Sequence, residues 1–175
     1  MSDVERFKRE YGLFLGAERA EERRLRSLID ALPSVRIKAA AEALRDVGFV
    51  AGACHQQCHD VAARLPAVTH VFGWTVNPLY YSCHSVLRDP GGGYRCITPG
   101  HVDAKGLDDN GCFEFRIDPQ FTWMNGGMYR GLEPGIPGWA IIRRDARQVD
   151  RAYRGLLDRI QRGELTFDEA AQLRA

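Results

Sequence analysis

Residues 54 to 59 read Cys54-His55-Gln56-Gln57-Cys58-His59, and Cys83, His84, Cys96, His101 and Cys112 follow before position 113. Thiols and imidazoles crowded in this way serve two chemistries. A thiolate can attack a carbonyl while an imidazole takes and returns its proton, or sulfur and nitrogen can share a metal ion. For the first chemistry Cys54 is the better nucleophile. Gly52-Ala53 opens a short helix that runs to Leu65 and is closed by Pro66, so Cys54 falls in its first turn, where unpaired N–H groups favour a thiolate; Cys58 lies a full turn deeper. His55 is no base for its neighbour, because adjacent helical side chains point about 100° apart. His84, on a predicted strand, is the candidate base. If Asp89-Pro90-Gly91-Gly92-Gly93 closes a hairpin, residues near 96 to 98 lie opposite Cys83 or His84, and Cys96 or Thr98 can face the imidazole. The catalytic candidates are therefore Cys54, His84, Thr98 and Cys96.

The metal alternative uses the same region. His55 and His59 have the i, i+4 spacing of a zinc-protease helix, but Gln56 stands where the glutamate base of such an enzyme would be. Cys54, Cys58, His59 and His84 could supply a tetrahedral zinc or iron site in some subset, in a spacing that matches no standard zinc ribbon or finger. Cys54-x-x-x-Cys58-His59 is one residue longer than a covalent haem signature, a use that also requires export.

The elements that must position these residues are α+β. Residues 3 to 32 carry Phe7, Tyr11, Phe14, Leu25, Ile29 and Leu32 at helical spacing, with Gly12 and Gly16 as breaks. Val35, Ile37, Ala40, Ala41 and Leu44 predict a second helix ended by Gly48. After Pro66 the texture turns β-branched and aromatic: Val68 to Val76, Tyr80 to Leu87, Tyr94 to Thr98 and Phe113 to Ile117 read as strands, with Trp139 to Ile142 as a further strand-like piece. Residues 99 to 112 and Gly131 to Gly138 read as loops. Helical spacing returns from Ala146 to Ile160, and Thr166 with Glu169 forms a capping box for a last helix. The expectation is N-terminal helices, an antiparallel sheet of about four to five strands and C-terminal helices. It forms a single domain over 1–175: a helical scaffold (1–47), a catalytic-type core (48–142) and C-terminal helices (143–175).

Composition narrows the function classes. The 175 residues are 45% hydrophobic and 27% charged, with 24 Lys plus Arg against 23 Asp plus Glu, a net charge of +1 that creates no bulk field for nucleic acid or an anionic membrane. No stretch resembles a signal peptide or a membrane span, so the expected location is cytoplasmic. Five cysteines among reduced thiols point to chemistry or metal rather than to bridges.

At the motif level, Cys54-His55-Gln56-Gln57, Gly73-Trp74, His84-Ser85-Val86, Ile97-Thr98-Pro99 and Phe115-Arg116-Ile117-Asp118-Pro119 resemble a family of small bacterial and phage proteins. Its members carry Cys-His-x-Asn, Gly-Trp, a His-containing strand, Asp-Ile/Val-Thr-Pro and Phe-x-Pro-Asp, and are taken to be cysteine hydrolases or transferases. The order Cys on a helix, His on a strand, polar orienter on the next strand is that of papain-like and transglutaminase-like enzymes. The resemblance covers roughly residues 52 to 120 and implies Cys54 as nucleophile and His84 as base. Two positions depart from the pattern: Gln57 replaces the Asn, and Cys96 replaces the Asp that would orient the histidine, leaving Asp103 and Asp118 as substitutes from outside the hairpin.

Trp74, Tyr81 and Trp123, with Gln57, are candidates to line a substrate cleft, and Trp123 to Tyr129, with its glycine pair, is a candidate lid. Cys112 and one of Cys83 or Cys96 read as small core hydrophobes, and His70 and His101 as surface residues. Arg143, Arg144, Arg147, Arg151 and Arg154 read as a solvated face. The leading expectation is a cysteine-dependent hydrolase or acyltransferase on an amide or thioester, without a cofactor and with a small-molecule, peptide or acyl-carrier substrate. The alternatives are the zinc or iron protein and a catalytically inactive binding module of the same fold. Oligomeric state is not encoded in these features.

Overall fold

The structure, a computed structural model, describes residues 1–50, 52–102, 106–124, 126–130 and 141–173. Asp103, the 131–138 loop, and Trp139, Ala140 and Asn125 lie outside the described residues.

Helix α1 (Asp3–Tyr11) starts on a capping box in which Ser2 and Glu5 exchange side-chain and backbone bonds. A single 3-10 turn at Gly12–Phe14 then separates it from α2 (Ala20–Asp30). At the other end of the chain, α4 (Ala146–Gln161) is capped by Asp145, which accepts the N–H groups of Arg147 and Gln148, and α5 (Phe167–Gln172) carries the Thr166/Glu169 box expected from the sequence. Phe7, Tyr11 and Phe14 pack with Val149, Tyr153, Leu157 and Phe167, so both chain ends share one apolar cluster. Among the described residues the antiparallel sheet has six strands: β1 (Ser34–Lys38), β5 (Cys112–Ile117), β2 (Thr69–Val76), β3 (Tyr80–Arg88) and β4 (Tyr94–Arg95) in that order, with β8 (Ile141–Arg143) also on β3. Strands β6 (Phe121–Met124) and β7 (Gly127–Arg130) form a separate hairpin.

The expected second helix is replaced by β1 and a 3-10 turn (Glu42–Val47). Pro33 restarts the chain, and Ser34-Val35-Arg36-Ile37-Lys38 alternates with period two, pairing Ser34 to Lys38 with Arg116 to Cys112 and burying Ile37. The alanines after it had lent the segment a helical look. Gly48 is left-handed at φ 92°, but it caps the 3-10 turn.

Arg143 is a second correction. Instead of facing solvent it is buried against Glu22, whose carboxylate accepts Nε at 2.8 Å, Nη2 at 2.7 Å and the Arg143 N–H at 3.1 Å. The guanidinium also donates to the carbonyls of Phe14, Gly16 and Ala17. Burial pushes the Glu22 carboxyl up, yet the Arg143 bonds hold it below its ordinary value. This pair ties α2, the turn after α1 and β8 together.

Candidate active site

Strand β3 meets two different partners along its outer edge. Tyr80 to Ser82 pair with β8 and Leu87 and Arg88 pair with β4, so among the described residues no strand lies beside 83 to 86 on that edge. The Phe72 carbonyl accepts the Asp118 N–H on the β5 side, which makes Phe72↔Ser85 a non-hydrogen-bonded pair and turns the Ser85 N–H toward that open edge. Helix α3 (Cys54–Arg64) fills the gap. Gly52, at φ 83°, turns the chain into it, no side chain caps its start, and the Cys54 sulfur takes the Ser85 N–H together with N–H groups of the first turn.

His84 is wholly buried and is fixed on every side. Its register partner Gly73 has no space for a side chain: a Cβ there would lie 2.1 Å from the Arg116 carbonyl oxygen and 2.6 Å from the Phe115 ring. The rings of Phe113 and Phe115 stand edge-on to the imidazole at 6.0 and 6.2 Å, and His101 stacks on it at 3.7 Å and 12°. Nε2 lies 3.3 Å from Cys96 Sγ, as the hairpin register suggested. The Cys96 sulfur also lies 3.8 Å from the Thr98 carbonyl; with the single thiol proton assigned to that carbonyl, Nε2 donates to the sulfur and Nδ1 is the bare nitrogen. Nδ1 is buried with no hydrogen-bond partner among the described residues, and His101 Nε2 shares that condition.

Cys54, His84 and His101 each offer one ligand atom, all within 4.8 Å of one another. Burial pushes the Cys54 thiol up to about 11 despite the three N–H groups aimed at it, and burial with the nearby histidines pushes His84 well below its ordinary value. The resting pair is a neutral thiol beside a neutral imidazole. Desolvation thus outweighs the helix-start effect expected to favour a thiolate.

A cleft of about 500 Å³ opens on Cys54, between α3, β3 and the β6–β7 hairpin, with His55, Tyr80, Cys83, His101 and Trp123 in its wall. The candidate lid is this hairpin, and Gly126 and Gly127 border the cleft. Trp74 and Tyr81 are core residues and do not reach it. The Trp74 indole donates to Asp118 at 3.0 Å and the Tyr81 hydroxyl donates to Asp30. Asp118 therefore steadies Trp74 rather than His84. Gln57 turns its amide to the Gly48 carbonyl, Thr98 Oγ1 is buried without a partner among the described residues, and Cys58 packs with Leu87 and Ile97. His59 stacks on Trp123 at 4.9 Å, so Cys58 and His59 stand apart from the Cys54/His84 ligand group.

His101, expected at the surface, is the site residue that spacing did not reveal; the only signal was the Thr98-Pro99-Gly100 turn, whose Gly100 sits at φ 67° and reverses the chain toward His84. His70 is also drawn inward. It bonds Ser85 Oγ at 2.8 Å while His55 bonds the same hydroxyl at 2.7 Å. Among the described residues no helix is long and apolar enough to cross a membrane. Comparison with protein-family models, curated proteins and solved structures finds no match to this chain.

Proposed function

We propose that this chain is a cysteine-dependent enzyme of papain-like or transglutaminase-like build that cleaves or transfers an acyl group held as an amide or thioester. The observation that carries the reading is the grouping of Cys54, at a helix start, with His84 within 4.8 Å, where Cys96 lies against Nε2 and Nδ1 is buried with no hydrogen-bond partner among the described residues. As the Cys54 sulfur attacks the carbonyl carbon, its proton passes to His84 Nδ1, and N–H groups at the start of α3 steady the developing oxyanion. The tetrahedral species collapses, the bond to the leaving nitrogen or sulfur breaks, and His84 returns the proton to that atom. A water or an amine then takes the acyl group from Cys54. Since both partners rest neutral, the proton moves within the attack step. The aromatic wall of Trp123 and Tyr80 favours an apolar acyl chain beside the scissile group.

Mass-resolved acylation by p-nitrophenyl acetate tests this. The acetyl group is expected on Cys54, absent in Cys54→Ala, and slowed by about 100-fold or more in His84→Ala. Equal acylation of Cys54 with and without His84 would refute the assignment.

A further inference from the structure

Two buried imidazole nitrogens with no partner among the described residues, on rings stacked face to face beside a buried thiol, exceed what proton transfer requires: one base suffices for one nucleophile. We infer that Cys54 Sγ, His84 Nδ1 and His101 Nε2 form a site for a divalent transition ion of zinc type, whose binding holds the thiol out of reaction. The inference rests on the proposed thiol chemistry for its regulatory half and on geometry alone for the site. Zinc bonds of about 2.0 Å to nitrogen and 2.3 Å to sulfur put tetrahedral ligand atoms between three and four ångströms apart, so a set already within 4.8 Å closes on the ion with small side-chain shifts. One thiolate with two neutral imidazoles is a borderline-soft donor set that suits zinc and excludes magnesium and calcium. The fourth position faces the cleft, because Cys54 and His101 both line it.

The ion and the acyl substrate compete for the same atoms. Forming the Zn–S bond breaks the Cys54 S–H bond and releases one proton to solvent, after which the sulfur lone pair and His84 Nδ1 are both occupied. Cys96 keeps its place on Nε2 and steadies the ring from behind, the part an outer hydrogen-bond partner plays at a metal-bound histidine. Cys58 and His59 take no part.

The test titrates zinc into metal-free full-length protein against a chromophoric chelator, and then measures Cys54 acylation by p-nitrophenyl acetate with and without one equivalent of zinc. One ion per chain is expected, with Cys54 protected and the protection reversed by EDTA. Affinity should fall by about 100-fold in His101→Ala and in Cys54→Ser, with His101→Gln as a second variant and unfolding midpoints to establish that each folds. Zinc uptake that ignores both residues, or no uptake at about 10 µM free zinc, would overturn the site. If zinc binds through these residues but metal-free Cys54 is never acylated, the site stands and the enzyme reading falls. If acylation proceeds and zinc leaves it untouched, the reverse holds.

Discussion

His84 and Ser85 are neighbours on β3, and their side chains point to opposite faces of the sheet. Around His84 the surroundings are sulfur and aromatic carbon, and one ring nitrogen is left bare. Around Ser85 a single hydroxyl answers two histidines, His55 at 2.7 Å and His70 at 2.8 Å, and being one proton it must donate to one ring and accept from the other. Both places collect histidines, but among the described residues the buried ring nitrogens without a partner, His84 Nδ1 and His101 Nε2, lie on the His84 side. Residue type marks the neighbourhood. Satisfaction of each nitrogen marks the reactive member.

The largest expected effect separates the two faces in rate. His84→Ala should slow Cys54 acylation by about 100-fold or more, whereas Ser85→Ala should leave it within about tenfold, because no atom of that hydroxyl reaches the thiol's base. Comparable losses in the two variants, followed by mass spectrometry, would erase the distinction.

A second prediction follows from the neutral resting pair. With the Cys54 thiol at about 11, its iodoacetamide rate should rise about tenfold per pH unit from 7 to 10, with no plateau before the thiol titrates. A plateau near neutral pH would show a preformed thiolate and imidazolium.

Acid stability draws on both faces together. Burial, with charge from neighbouring histidines, holds His70 down to about 3, His101 to about 4 and His84 well below its ordinary value. Each therefore stays neutral in the fold at a pH where the unfolded chain takes up a proton. Stability is full above about 6.5 and falls as pH drops toward 4, with a slope approaching three protons or about 4 kcal/mol per pH unit. Urea unfolding across that range, in wild type and His101→Gln, should show the slope reduced by about one proton in the variant.

The smallest effect is on equilibrium stability. Ser85→Ala strips a partner from His55 and from His70, and should cost about 1–3 kcal/mol, read by denaturant titration. A neutral result would mean that water replaces the hydroxyl at no cost.

How much of this was legible from the chain depends on whether the contact is local. The β3–β4 hairpin has a turn signal and a short register, so counting along two strands narrowed the residue facing His84 to Cys96 or Thr98, and the structure places Cys96 there. Cys54 at a helix start followed from Gly52 and Pro66 on either side of the segment. The caps of α5 and the strands β2, β3 and β5 were equally readable, since propensity and period act within a few residues. His101 was not, because its approach depends on one left-handed glycine and on space beneath His84. Arg143 failed for the same reason: its partner is Glu22, 121 positions earlier, and nothing near it in sequence separates a buried arginine from a solvated one. Trp74 and Tyr81 belonged to the right strands but to the core side of them, a choice that register with β5 and β8 makes.

The Ser85 amide, facing a sulfur where a neighbouring strand's carbonyl would usually stand, has one more consequence. Its proton is a spectroscopic gauge built into the sheet. In an amide-resolved NMR spectrum this one resonance should move whenever the sulfur is acylated, alkylated or bound by an ion, while the amides of Val71 and Phe72 across the ladder stay in place. The occupancy of the Cys54 sulfur could then be followed in solution without a chromogenic substrate.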